Sequence, residues 1–276
     1  MKNLNVSEKF KRGIVLFAFN SGDIDYVHIA VSNARLIKKY LGLPVSLVTD
    51  RPLTSQIASD HFDHVTIFEN DYVNYRMGYD AGSVWRNGYR YIAYEVTPFE
   101  ETILLDTDYL VFDNSLLKLL DTVNDYQIMQ TNQDFNGPLD TSMGRFSLNY
   151  LWATVVAFKK TKKASQLFQL VGRIQSNWEY FTQLYSLRQT NFRNDHAFAI
   201  ANHVLNGYSE SKENVIPWTM LTAIEPIKSI EIEDDRMTVR ESERAFFIPK
   251  QNLHIIDKNY LASDEFQLLV HRLCNT

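Results

Sequence analysis

The 276-residue chain has one cysteine, Cys274, close to its C-terminus. A lone thiol cannot close an intramolecular disulfide, and it rules out any metal site built on several cysteines. This usage suits a reducing cytoplasm, which is the expected location. Long apolar runs are missing as well. No stretch approaches the ~20 apolar residues of a membrane-spanning helix. The opening Met1-Lys2-Asn3-Leu4-Asn5 lacks the apolar core of a secretion signal, so no membrane anchor is expected. Positive charge is not in excess either: the formal net charge is -5. That argues against a general nucleic-acid coat or a polybasic membrane patch, while leaving room for a local basic groove. No repeat, low-complexity tract or Pro/Gly-rich linker divides the chain, so residues 1–276 are expected to form one domain.

What is present is core material. Hydrophobic residues make up 45% and charged residues 22%, enough for a sizeable buried interior and against bulk disorder. Gly13 to Phe19 is a continuous apolar run of strand length, as expected for a strand buried on both faces. A helical pattern over 25–41 follows, then strands at Val45–Thr49 and His64–Phe68. A helix is predicted over 81–95, stopped before Thr97-Pro98. Thr102 to Leu105 then reads as a buried strand running into Asp106-Thr107-Asp108. The second half predicts a strand over 150–158, a long helix over 164–184, a helix over 195–205, a strand around Leu253–Ile256 and a terminal helix over 264–273. This alternation predicts an α/β fold with a doubly wound sheet. Ligands of such sheets lie beyond the C-terminal strand ends, which is where Asn20-Ser21, Asp50 and Asp106 fall.

The strongest chemical signal is Asp106-Thr107-Asp108. Two carboxylates at the mouth of a buried strand cost free energy unless something cationic lies between them. A divalent metal is a natural partner, since hard oxygen ligands suit Mg²⁺ or Mn²⁺. A solvent-exposed turn carrying two aspartates is the plainer alternative. His254 stands in the apolar run Leu253 to Ile256, with Asp257-Lys258 just beyond; it is either a hydrogen-bonded core residue or a metal ligand. Arg86 and Arg90 lie four apart in the predicted helix and share a face. They suit bidentate phosphate recognition, or pairing with Glu95 or Asp80. Asp195 reads as the N-cap of its helix.

The segments Phe17-Ala18-Phe19-Asn20-Ser21, Leu47-Val48-Thr49-Asp50, Glu101 to Asp108 and Leu253 to Lys258 together resemble the GT-A glycosyltransferases, diffusely over about residues 13 to 260. The resemblance implies a Rossmann-like mixed sheet flanked by helices. It implies a nucleotide-sugar-binding half at about 13–125 and an acceptor-binding half at about 126–276. The donor would be a UDP-sugar, with Mn²⁺ or Mg²⁺ held by Asp106, Asp108 and His254. Phe19, Asn20 and Asp50 become nucleoside contacts, although Asn20-Ser21-Gly22-Asp23 is also a good turn and helix cap. Arg86, Arg90, Thr107 and Lys258 become donor contacts near the diphosphate, and Asp195 faces the acceptor or acts as base. No His-x-x-Gly-x-x-Lys spacing is present, so the glycogenin-like branch is not implied.

Trp85-Arg86 through Asp108 and the His254 to Lys258 segment are similar to bacteriophage-encoded members. That favours 5-hydroxymethylcytosine in DNA as acceptor over lipopolysaccharide, polysaccharide or protein. The basic run Lys159-Lys160-Thr161-Lys162-Lys163 would meet DNA phosphates if it lay beside the groove. Two other classes are open: a haloacid-dehalogenase-like phosphatase, using Asp106-Thr107-Asp108 with Asp234-Asp235, and a non-catalytic nucleotide-binding module.

Overall fold

A computed structural model describes residues 11–21, 24–50, 60–69, 74–76, 83–139, 142–143, 148–187 and 191–275. In chain order the principal elements begin with β1 (Arg12–Phe17), α1 (Tyr26–Leu41), β2 (Val45–Thr49), β3 (His64–Ile67), β4 (Glu101–Leu105) and β5 (Tyr109–Leu110). There follow β6 (Tyr126–Met129), β7 (Asn132–Asp134), β8 (Trp152–Lys159), α2 (Lys162–Ser176) and α3 (Asn194–Leu205). The chain closes with β9 (Val215–Ile216), β10 (Met220–Ala223), β11 (Leu253–Ile255) and α4 (Asp264–Asn275).

The main sheet has seven strands in the order β9–β6–β8–β4–β1–β2–β3. Strands β4, β1, β2 and β3 run parallel, and β8 is antiparallel to both its neighbours. This is the α/β architecture expected, a mixed sheet flanked by helices. The apolar run at β1 explains its central place. Ile14, Leu16 and Ala18 pack towards α1 through Ala30, Ala34 and Ile37, while Val15, Phe17 and Phe19 pack in the cluster that contains Phe168 of α2 and Phe198 of α3. Alternate residues thus serve opposite faces, and both faces are apolar. Helix α1 starts where Asp25 accepts from the His28 amide at 3.0 Å, and it ends at Gly42, whose φ of 63° is the left-handed conformation glycine adopts without strain.

A second sheet runs Gly137–Pro138, β7, β10, β11, β5. It is joined to the first by the short link Asp106-Thr107-Asp108, because the chain leaves β4 and enters β5 directly across it. One of the short crossings between the sheets therefore falls on the two aspartates; the others are the links from β6 to β7 and from β9 to β10.

Two expected helices differ. Residues 81 and 82 lie outside the described residues, Ser83–Trp85 is a strand, Asn87–Ile92 is a 3₁₀ helix and only Ala93–Val96 is α-helical. Asn87, Gly88, Tyr89 and Tyr91 are weak helix formers, and Tyr89 leaves helical geometry with φ -92° and ψ 21°. The long helix expected over 164–184 breaks at Asn177, between α2 and a second helix at Trp178–Leu184. The lysine run does not lie beside the aspartates. Lys159 is paired in register with Glu101 at the start of β4, a full strand, or about 13 Å, from its other end. Thr161 caps α2 there, accepting from the Ala164 amide at 3.3 Å.

Gly13 lies against the ring of Phe99, so a Cβ at that position would overlap it. Gly13→Val is expected to destabilise the fold by about 1–3 kcal/mol through overpacking. Urea unfolding of the two proteins checks this, and combining the change with Phe99→Ala should recover part of the loss.

Candidate active site

The Asp106–Asp108 link is fixed by backbone bonds to three separate elements. The Asp106 amide donates to the Thr154 carbonyl of β8 at 3.0 Å, and the Ile255 amide of β11 donates to the Asp108 carbonyl at 2.9 Å. From α1, the Asn33 amide group donates to the carbonyls of Tyr109 at 2.8 Å and Thr107 at 3.3 Å. Asn33 sits beside Ser32 on a mainly apolar buried face, and bracing this link is what it does there. Thr107 is buried, so it contributes through the backbone conformation that separates the aspartates.

Both carboxylates meet side-chain cations. Arg90 pairs with Asp106 and also donates to the Ala153 carbonyl at 2.6 Å. Its side chain is only 1% exposed. Burial brings its guanidinium down to about 10, against the pull of Asp195 and Asp108, so it remains a cation at neutral pH. Lys258 pairs with Asp108 while donating to the carbonyls of Ile255 at 2.9 Å and Ile256 at 3.0 Å. Burial alone would raise the Asp108 carboxyl, but Lys258 outweighs it and holds the group well below the usual carboxylate range. The charge balance that sequence reasoning gave to a metal is thus met by the chain's own arginine and lysine.

A metal is indicated instead by what remains unpaired. Asp108 Oδ1 is buried without a hydrogen-bond partner. His254 Nε2 stands 3.6 Å from it, too far for a hydrogen bond. One donor atom each from Asp106, Asp108 and His254 lies within 4.8 Å of the others. Two carboxylate oxygens and one imidazole nitrogen converging on one point make a donor set that Mn²⁺ or Mg²⁺ accepts, so the residues present fit such an ion.

A cavity of about 90 Å³ opens beside this group. The structure brings to its wall Phe19, Arg86, Arg90, Asp106, Thr107, Asp108, Asp195 and Lys258, all singled out in the sequence. Asp50 joins through Arg86, whose guanidinium donates to Asp50 Oδ2 at 3.3 Å. Arg86 precedes the 3₁₀ helix, and with residues 77–82 outside the described set its expected alternative partner Asp80 cannot be placed. Asn20 is engaged at both ends of its side chain, accepting from the Val27 amide and donating to Asp25, each at 3.1 Å; it stabilises the entry to α1. Asp195 is not an N-cap. Arg193 holds that position, and Asp195 instead accepts from the Ala153 amide of β8 at 2.9 Å. The reason is that the helix starts one residue earlier than expected, which turns Asp195 towards β8. The acidic pair Asp234-Asp235 needed by a phosphatase forms the exposed turn of the hairpin Ile227–Glu233 and Arg236–Glu241, outside the cavity wall.

Ser21, which the sequence placed at the ligand end of β1 without a role, also lines the cavity, as do Tyr26, Asn87 and Asn194, which sequence reasoning missed. Asn194 donates to the Asn87 carbonyl at 2.7 Å. Asn194 stands at the head of α3, where a polar residue reads as an ordinary helix start. Asn33 was missed as well, although an amide among the apolar residues of a buried helix face is a readable signal.

No protein-family model matches the sequence, and the search of curated proteins finds no match. Among solved structures the chain is similar to the galactosyltransferase LgtC in complex with donor and acceptor sugar analogs, at 15% identity and a TM-score of 0.46, covering 75% of this chain and 73% of that one. It is also similar to the glycosyltransferase GlyE of Streptococcus pneumoniae TIGR4, at 13% identity and 0.40, covering 75% and 44%. For the bifunctional glycosyltransferase WbbM the figures are 14% and 0.37, covering 61% and 35%. The chain thus spans less than half the length of the GlyE and WbbM chains. At that similarity, function has to be read from the side chains of the site.

Removing Arg90 leaves Asp106 without its buried partner, and Arg90→Met is expected to destabilise by about 3–5 kcal/mol. Arg86→Met, with a more exposed guanidinium, should cost about 1 kcal/mol or less; urea titrations separate the two.

His196, beside Asp195, is lowered by burial from 6.5 to about 4, with Asp195 pulling it up and Arg193 down to smaller extents. The unfolded chain therefore binds the proton more tightly, so this contribution to stability is complete above about pH 6.5 and is lost as pH falls towards 4. The loss is about 3 kcal/mol. His196→Phe should flatten that stretch of the stability–pH curve.

Proposed function

We propose that this chain is a metal-dependent glycosyltransferase of the GT-A kind, moving a sugar from a nucleotide-sugar donor, a UDP-sugar foremost, to an acceptor hydroxyl. The carrying observation is the grouping of Asp106, Asp108 and His254, with the unpartnered Asp108 Oδ1 among them, beside a cavity that Asp106, Asp108, Lys258 and Arg86 line. In this reading Asp106, Asp108 and His254 would hold Mn²⁺ or Mg²⁺, which supplies Lewis-acid compensation for charge on a departing diphosphate.

Charge favours joint binding of cation and donor. Asp106 and Asp108 are already matched by Arg90 and Lys258, so a divalent cation alone would leave the site with excess positive charge. The diphosphate of a nucleotide sugar offsets it. Lys258 and Arg86, both on the cavity wall, would share its oxygens. Asp50, bonded to Arg86, is assigned to the nucleoside, as is Phe19. In the reaction the bond from the anomeric carbon to the diphosphate breaks and a bond to the acceptor oxygen forms, while the acceptor hydroxyl loses its proton. Asp195, on the cavity wall and held by the Ala153 amide, is assigned to the sugar or acceptor side, with base catalysis available if the acceptor hydroxyl reaches it.

The donor-binding half would then cover about residues 13–125 and the acceptor half about 126–276. Among the described residues no helix is long and apolar enough to cross a membrane. Hydroxymethylated DNA is kept as an acceptor to test, without help from the lysine run, whose place at the far end of β4 removes it from the cavity.

The test is nucleoside diphosphate release from a panel of nucleotide sugars, with and without Mn²⁺, using hydroxymethylated and plain DNA. Metal-dependent UDP release is expected, and Asp108→Asn should reduce it by about 100-fold or more, matching the several kcal/mol a bound metal contributes. Stimulation confined to hydroxymethylated DNA and lost at high salt would identify the acceptor; stimulation by glycans alone would assign it elsewhere. Full turnover by a folded Asp108→Asn protein would overturn the assignment.

A further inference from the structure

His254 is held by more than its strand. It lies on β11, directly opposite Thr222 of the parallel neighbour β10, and β10 pairs in turn with β7, which carries Asn132. Thr222 is 1% exposed and Asn132 2%. The Thr222 hydroxyl donates to Asn132 Oδ1 at 2.7 Å, and Thr222 Oγ1 lies 3.3 Å from His254 Nδ1. A hydroxyl has one proton. With that proton directed at Asn132, the Thr222 oxygen can only accept from His254. In the neutral ring, Nδ1 must then carry the hydrogen and Nε2 must present its lone pair.

That lone pair stands 3.6 Å from Asp108 Oδ1, the buried oxygen without a hydrogen-bond partner. Two lone-pair acceptors facing each other at this distance form an arrangement that a cation bound by both completes. We infer that Thr222 and Asn132 are positioning residues that lock His254 in the tautomer with Nε2 free, so that the imidazole meets Asp108 as a metal ligand. The inference rests on the proposed metal-dependent function for its purpose, but its tautomer is a property of the chain alone. The physical basis is general: the partner of the outer imidazole nitrogen sets which nitrogen is available to the metal and how the ring is aimed. Strand register makes the lock rigid, because Thr222 and His254 face each other across one ladder and cannot slide independently.

The experiment uses the full chain. Nitrogen-15 NMR of the metal-free protein above neutral pH is expected to show His254 protonated on Nδ1. An Nε2-protonated ring in the unaltered protein would overturn the inference whatever the variants do. Mn²⁺ titration in the presence of UDP, whose diphosphate supplies the balancing charge, is followed by electron paramagnetic resonance and compared across variants. Thr222→Val is expected to weaken Mn²⁺ binding by about 10- to 100-fold, the usual effect of losing such a partner, while Thr222→Ser keeps the hydroxyl and should restore it to within about threefold. Asn132→Ala frees the Thr222 hydroxyl to turn towards Nδ1 and should weaken Mn²⁺ binding in the same direction. Equal affinity in folded Thr222→Val and the unaltered protein would overturn the inference. Absence of any Mn²⁺ binding that Asp108→Asn removes would overturn the metal site itself, and the NMR result would still decide the tautomer.

Discussion

The structure turns on placing two carboxylates at a point where the chain passes from one sheet to another. Asp106 is only partly open to water and Asp108 less so, and an uncompensated buried charge costs several kcal/mol. Compensation comes from far along the chain in both directions. Arg90 arrives from the 3₁₀ segment before β4, and Lys258 from the turn after β11. Each ion pair ties a distant segment to the link, so the electrostatics of the candidate site and the docking of the second sheet are one problem. Asn33 adds a third tie from α1.

This arrangement changes what the aspartates imply. Viewed alone, they call for a cation. With Arg90 and Lys258 in place the pair is already balanced, so the chain can fold without one. The unused capacity is a single buried oxygen on Asp108 and one nitrogen on His254. A site of this kind suits a cation that arrives with an anionic substrate and leaves with an anionic product, because the resting site stays neutral. Lys258 occupies the position between the two conditions: its ammonium contacts Asp108 at rest and is within reach of whatever anion enters the cavity.

Much of the first half was legible from the sequence because its signals are local. The apolar run at β1, the helix ending at Gly42, and the strand delivering Asp106 each follow from periodicity and turn chemistry. The legible part of the site was the part carried on strand ends. The segment before β4 misled because aromatic spacing there mimics a helix, while Gly88 and the tyrosines give a tighter, shorter turn. Asp195 misled because an aspartate near a helix start reads as a cap; its true partner, the Ala153 amide, lies 42 residues away. The lysine run looked like a groove because clustering in sequence says nothing about which end of a strand it occupies.

By itself the sequence determined the α/β class, the buried central strands and the residue types brought to the mouth of β4, since these depend on hydrophobic period and on residues adjacent in the chain. Tertiary structure decided which charges meet. That Arg90 is a buried partner of Asp106 while Arg86 reaches Asp50, that Thr222 stands against His254, and that the lysines lie at the opposite strand end are all outcomes of sheet order and register. They depend on strands that pair across more than 30 positions of the chain, as β10 and β11 do, and pairing at that distance is set by how whole faces pack, which no local pattern specifies.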